Sequence, residues 1–229
     1  MPAVLAAILV AVAAVWGVQA WQVRAAVGDY AAYWSQPRGE PGGLIYIALG
    51  DSTAQGIGAS EPGHGYVGLL AGRIRASSGR PVLVINLSET GATVRDVVAE
   101  QLPRLAGLRA DVVTVGVGAN DIRGYDPQQY ERDVTALMDG LPPGTVIADI
   151  PYFMHGRAQD NASQAAGTIR ALAERRGLIV APLQDTTRAK GWTAMFTNYS
   201  ADWFHPNNRG YRVWAGAFWT ALAPRVPTR

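Results

Sequence analysis

The chain has 229 residues and no cysteine. That absence excludes disulfides, thiolate metal sites and a cysteine nucleophile, and it fits either redox compartment. Charge is sparse: 17% of residues are charged and the formal net charge is +2. The basic residues, mostly Arg, are scattered rather than run together, so there is no nucleic-acid footprint. The three histidines lie far apart and no H-E-x-x-H is present, so no metal ligand set is offered. Phosphate-loop signatures are missing as well. There is no G-x-x-x-x-G-K-[ST], and "GIGASE" does not complete G-x-G-x-x-G. Internal repeats and low-complexity tracts are absent too. Neither a metal nor a cofactor is expected.

What is present begins with apolar residues, 48% of the chain, enough for one globular domain with a sizeable core. The segment "AVLAAILVAVAAVWGVQAW", Ala3 to Trp21, carries no charge, and about 20 such residues can cross a bilayer as a helix. As a secretory signal peptide it would be cut after Val18-Gln19-Ala20, although no Lys or Arg precedes it. As an uncleaved anchor it would place Trp16 and Trp21 near an interface, with Arg24 just beyond. A buried soluble helix fits less well, because polar residues are missing from nearly every face. Residues 1–25 are therefore expected to be a signal peptide or membrane anchor, exported or, alternatively, facing the cytoplasm, with membrane contact through residues 3–21. Residues 26–42, with "SQPRGEPG", read as a linker, and 43–224 as the domain.

Within that domain, β-branched apolar runs recur at 43–49, 81–87, 110–117, 144–150 and 177–183. Each is mostly continuous rather than alternating, as in strands covered on both faces. Helical spacing fills the gaps, and several helices end at Gly, which suits a left-handed cap. Pro103 should shorten or kink the second helix. The alternation predicts an α/β fold, a doubly wound five-stranded parallel sheet between layers of helices. Ligands in such folds bind beyond the carboxyl ends of the strands.

Polar residues cluster at those ends. Gly50-Asp51-Ser52 follows the first strand, "SETGAT" with Gly91 the second, and Gly118-Ala119-Asn120-Asp121 the third. "DWFHP", with Asp202 and His205, precedes the last helix. A serine hydroxyl attacks only after a base takes its proton, and His suits that task near neutral pH. An Asp three residues earlier can orient the His. A backbone N–H at a helix start, a Gly and an Asn amide can together hold an oxyanion. The G-x-S-x-G elbow is absent, because residue 54 is Ala.

These blocks, in this order, resemble the four signature blocks of the SGNH hydrolases, also called the GDSL esterase/lipase family. Thr53 replaces the Leu of the family's namesake motif, outside the reacting set. The resemblance implies a flavodoxin-like three-layer α/β/α fold and ester hydrolysis through an acyl-serine. It implies Ser52 as nucleophile, His205 as base, Asp202 as its partner, and an oxyanion hole of Ser52 and Gly91 backbone with the Asn120 side chain. Asp51 and Asp121 read as structural supports.

Each residue has a plainer reading. Ser52 and His205 could cap helices, Asp202 and Gly91 could serve turns, and Asn120 an Asx turn. The four blocks together outweigh those readings. His64 reads as a solvated loop residue, and His155 carries no strong expectation. Trp192, Trp203, Trp214 and Trp219 could form an apolar acyl groove, but core packing is the better reading for Trp214 and Trp219. The substrate class is a small-molecule, lipid or glycan ester. A carbohydrate or cell-wall O-acetyl esterase, a thioesterase or lysophospholipase, and a non-catalytic binding module on the same fold stay open as alternatives.

Overall fold

A strand buried on both faces needs apolar side chains at nearly every position, and the three central runs behave accordingly, while the outer two are covered less completely. In the computed structural model, which describes residues 14, 16–18 and 20–226, the five runs form the parallel strands β2 (Leu44–Gly50), β3 (Val82–Asn86), β4 (Val112–Gly116), β5 (Val146–Ala148) and β6 (Ile179–Ala181). Leu44, Tyr46 and Ala48 join one core, with Leu70, Ile74 and Phe218. Ile47 and Leu49 join the other, with Val97, Leu137 and Ile169. Each fully buried Leu, Ile, Val or Phe side chain contributes roughly 1.5–3 kcal/mol.

The spatial order is β1-β3-β2-β4-β5-β6, with β1 (Arg38–Gly39) antiparallel on the β3 edge. The five parallel strands thus run 2-1-3-4-5 in chain order, the flavodoxin-like doubly wound arrangement. The order reverses between β2 and β4, leaving a crevice beyond their carboxyl ends.

The expected linker is not one. Val27–Trp34 forms helix α1, and Arg38–Gly39 extends the sheet. Tyr30 and Trp34, four apart, bury one face of α1 against the loop after β2. The Trp34 indole N–H donates to the Gln55 carbonyl at 2.9 Å, and the Tyr30 hydroxyl to that of Ala59 at 2.7 Å. The Gly- and Pro-rich composition describes only residues 35–42. Most of the expected anchor segment lies outside the described residues. Within its described part, the Trp16 ring stacks on Trp203 at 4.8 Å. Among the described residues no helix is long and apolar enough to cross a membrane.

The remaining helices are α2 (Ser52–Gln55), α3 (Tyr66–Ser78), α4 (Val94–Asp96), α5 (Leu102–Ala106), α6 (Pro127–Asp139), α7 (Gly156–Arg176), α8 (Leu183–Arg188), α9 (Ala194–Thr197) and α10 (Asn208–Leu222). A π-helical turn, Val97–Gln101, joins α4 to α5 just ahead of Pro103. Proline offers no N–H to the α ladder, and the wider turn absorbs the defect there.

Because Trp34 is buried and hydrogen-bonded, Trp34→Ala should cost about 3–5 kcal/mol of unfolding free energy, as for a core tryptophan. Urea denaturation measures it; a loss below about 0.5 kcal/mol, the range of surface substitutions, would restore the linker reading.

Candidate active site

The site is built on the last residue of β2. Gly50 has a φ of 151°, and a β-carbon there would lie 2.2 Å from the Gly116 carbonyl oxygen. Only glycine lets the two strands approach this closely before the chain turns away. Gln101, in the π turn, holds the turn: its side chain accepts from Gly50 N–H at 2.9 Å and donates to Gly50 C=O at 2.8 Å. Asp51 then caps α2, accepting from Thr53 N–H at 2.8 Å and the Thr53 hydroxyl at 2.7 Å. Ser52 is the first residue of α2, where the backbone N–H lies outside the intrahelical ladder.

The loop after β3 is fastened to α2 by side chains. Gln55 donates to Ser88 C=O at 2.9 Å and accepts from the Thr90 hydroxyl at 2.6 Å. Asn86 donates to Ala54 C=O at 2.8 Å and accepts the Ser88 hydroxyl. Gly91 follows at φ 86°, a left-handed conformation that suits glycine. After β4, the Asn120 amide donates to Ala92 C=O at 2.9 Å. That bond occupies one amide hydrogen, fixes the side chain and leaves the second hydrogen available. Asp121 accepts from Val94 N–H at 3.2 Å, tying the same two loops together.

His205 comes from a loop that folds back on itself. An antiparallel bridge pairs Tyr199 with Pro206, and Ser200 N–H donates to His205 C=O at 2.8 Å. Asn208 bonds Ser60, and the Tyr211 hydroxyl donates to Ile57 C=O at 2.6 Å. These ties bring two segments together across 153 residues: His205 Nε2 lies 2.8 Å from Ser52 Oγ. His205 Nδ1 lies 2.5 Å from Asp202 Oδ2. The other Asp202 oxygen accepts from the Ser200 hydroxyl at 2.7 Å and from Phe204 and His205 N–H, each at 3.0 Å. Burial opposes ionisation of Asp202, but the His205 bond and charge, with the Ser200 hydroxyl, outweigh it and hold the carboxyl well below its usual range. An ionised Asp202 can only accept, so Nδ1 carries the proton and Nε2 accepts from Ser52.

Ser52, Asp202 and His205 thus form one continuous relay. Asn120, Asp202, His205 and Thr90, the neighbour of Gly91, line one cleft with Val23, Arg24 and Val27 from the N-terminal helical residues. Asp51 and Asp121 stand in the supporting loops, outside the relay. His64 is exposed and bonds Ser60 and Glu61. His155 is exposed at the start of α7. Trp214 is buried in the core, and Trp219 packs against it partly covered. Gln55, Asn86, Ser88, Gln101 and Ser200 were not singled out in the sequence. The one signal available was Gln101, a polar side chain on the apolar face of "VVAEQLPRL". Among the described residues no three His, Asp or Glu side chains converge to hold a metal ion.

A hydroxyl–imidazole–carboxylate relay in the crevice of a flavodoxin-like sheet is an arrangement that can activate a serine hydroxyl for attack. Residues 48–213 match the model of the GDSL-like Lipase/Acylhydrolase family, and the chain belongs to that family of ester-hydrolysing enzymes. Among solved structures it is similar to LAE5, an alpha/beta hydrolase enzyme from the metagenome of Lake Arreo, Spain. That pair has 25% identity, covers 79% of this chain and 95% of the other, and gives a TM-score of 0.66. A variant of Axe2, an acetyl xylan esterase from Geobacillus stearothermophilus, gives 22% identity, coverage of 78% and 94%, and a TM-score of 0.66. TesA gives 24% identity, coverage of 79% and 98%, and a TM-score of 0.63. No curated protein matches.

Asp121 and Asp202 should leave opposite marks on stability. Burial pushes the Asp121 carboxyl up to about 6, partly offset by the Val94 N–H. The unfolded carboxyl titrates near ~3.9, so between there and about 6 the native state keeps a proton the unfolded chain has lost, and stability falls as pH rises. For Asp202 the stabilisation is present above the unfolded value and is lost as pH falls. Asp121→Asn should therefore gain stability relative to the native sequence between pH 4 and pH 7, by about 1–2 kcal/mol after solvent screening. Urea midpoints at the two pH values test this, and a pH-independent difference would refute it.

Proposed function

We propose that the chain cleaves carboxylic esters through an acyl-Ser52 intermediate. The observation that carries this is the unbroken Ser52–His205–Asp202 relay. His205 Nε2 takes the hydroxyl proton as Ser52 Oγ attacks the ester carbonyl. The tetrahedral oxyanion is received by the Ser52 and Gly91 N–H groups and the free Asn120 amide hydrogen. As the C–O bond to the alcohol breaks, His205 returns the proton to the leaving oxygen. Water then repeats the sequence: His205 deprotonates it, it attacks the acyl carbonyl, and Ser52 leaves with its proton restored. Asp202 keeps the imidazole in the required tautomer and stabilises the imidazolium.

For location, the proposal is export or membrane attachment through residues 3–21. Exposed aromatic residues beside the cleft support it: Trp192 is 73% exposed and Phe196 63%, with Trp203 and Phe204 next to them. Phe196 meets Trp203 edge to face, and Trp16 stacks on Trp203. Such rings favour the boundary between water and lipid. Full-length protein should sediment with membranes from an expressing cell; recovery in the soluble fraction would refute attachment.

Ser52→Ala and His205→Ala should each lower kcat by about 10⁴-fold or more while the fold survives. Asn120→Ala should lose about 10²–10³-fold. Asp202→Asn should be impaired through the wrong tautomer. Hydrolysis of p-nitrophenyl esters measures each loss. A serine-directed phosphonate should label Ser52 and no other serine, and full activity in Ser52→Ala would sink the mechanism.

A further inference from the structure

We propose that the apolar cavity beside Ser52 is an acyl pocket that admits straight chains of about four to six carbons and rejects longer ones. This rests on the ester-hydrolase reading and names its substrate class. The cavity measures about 110 Å³. Its wall includes Thr53, next to the nucleophile, and Ala119, next to Asn120. Ala119 and Phe204 also line the cleft that contains His205, so the two spaces meet at those residues.

Proton transfer decides which half of the ester goes where. The leaving oxygen must take its proton from His205 Nε2, so the alcohol half departs on the side that His205 lines. That side measures about 520 Å³ and carries Arg24, Arg123 and Asp202, suiting a large or polar alcohol. The acyl half is left with the other space. Among the described residues no charged side chain lines that cavity; its walls include Phe153, Met154, Met195, Trp203 and Trp214.

Size then sets the chain length. A dry apolar cavity of about 150 Å³ holds one benzene, six heavy atoms, so about 110 Å³ holds roughly four beyond the carbonyl carbon. An acetyl methyl would leave most of that volume empty, and a dodecanoyl chain would overrun it. The wall is also braced against widening. The Tyr152 hydroxyl donates to Met154 C=O at 2.6 Å, and Phe153 N–H donates to Gln159 at 2.7 Å. Met154 and Trp203 have φ of 74° and 58°, left-handed values that residues with a β-carbon rarely adopt. Both line the cavity, and strain of this kind collects where a ligand is gripped.

The test is kcat/KM for full-length protein on p-nitrophenyl esters from acetate to dodecanoate. Activity should peak between butyrate and hexanoate and fall at least about tenfold by dodecanoate, within the discrimination an apolar pocket can give. Met154→Gly removes a wall side chain at a position where glycine relieves the backbone, so the fold should survive. It should move the peak at least two carbons longer, mainly through KM. Met195→Trp fills the cavity and should move the peak to acetate. A native peak at acetate or beyond octanoate, or a peak that both variants leave in place, overturns the pocket while leaving the ester hydrolase intact. No turnover of any ester together with no phosphonate labelling of Ser52 overturns both.

Discussion

The contact between Gly50 and Gly116 is the constraint on which the site depends. Two backbones at the switch point of the sheet approach closer than any β-carbon allows, and the chain must then leave the sheet. A strand that ends in mid-sheet leaves backbone groups to satisfy, and an unpaired buried group costs about 1–3 kcal/mol. Gln101 supplies both partners for Gly50 with one planar amide, and Glu89 N–H also reaches the Gly50 carbonyl. The π turn before Pro103 and the start of the nucleophile helix are therefore one device. A helical irregularity set by a proline orients the glutamine that holds the turn carrying Ser52.

From that turn the fastening spreads to every loop in the crevice. Gln55, one turn beyond Ser52, reaches the β3 loop on one side through its side chain and Trp34 on the other through its carbonyl. Asn120 and Asp121 then tie the β4 loop to residues 92–94. His205 is held by the bridged loop of 199–206, and Tyr211 and Asn208 tie that side to Ile57 and Ser60, just beyond the nucleophile helix. The nucleophile and its base thus come from different elements that these bonds join.

The sequence made the sheet and the reacting groups readable for a common reason. Burial on both faces forces unbroken apolar runs, and the chemistry must follow the carboxyl end of a strand. That Ser52, Asp202 and His205 meet was legible because the motif blocks fall together at strand ends, although each residue type alone has plainer uses. The helix Val27–Trp34 was hidden because Gly28 and the later Pro and Gly residues carried the local signal. Its cause is tertiary: Tyr30 and Trp34 find partners in Gln55 and Ala59, more than twenty residues away. The supporting amides were equally silent, since a Gln or Asn in sequence does not announce which backbone it will read. Met154 and Trp203 gave no warning of left-handed backbone, because nothing local favours it there.

Three carboxylates surround the reaction, and environment alone separates their tasks. Asp202 has hydrogen-bond donors on both oxygens, so it stays ionised although partly buried. Asp121 is pushed the other way, because burial outweighs the Val94 N–H and its own backbone N–H, and the charges of Asp51 and Asp133 repel it. Asp51 is deeply buried, and burial raises it against the opposing pull of the Thr53 bonds and of His205. That last influence gives Asp51 a second consequence. The influence is mutual: any charge that Asp51 carries attracts a protonated His205, at longer range than Asp202 does. The bonds that cap the helix at Asp51 therefore also hold a buried titratable group close enough to His205 for each to influence the other.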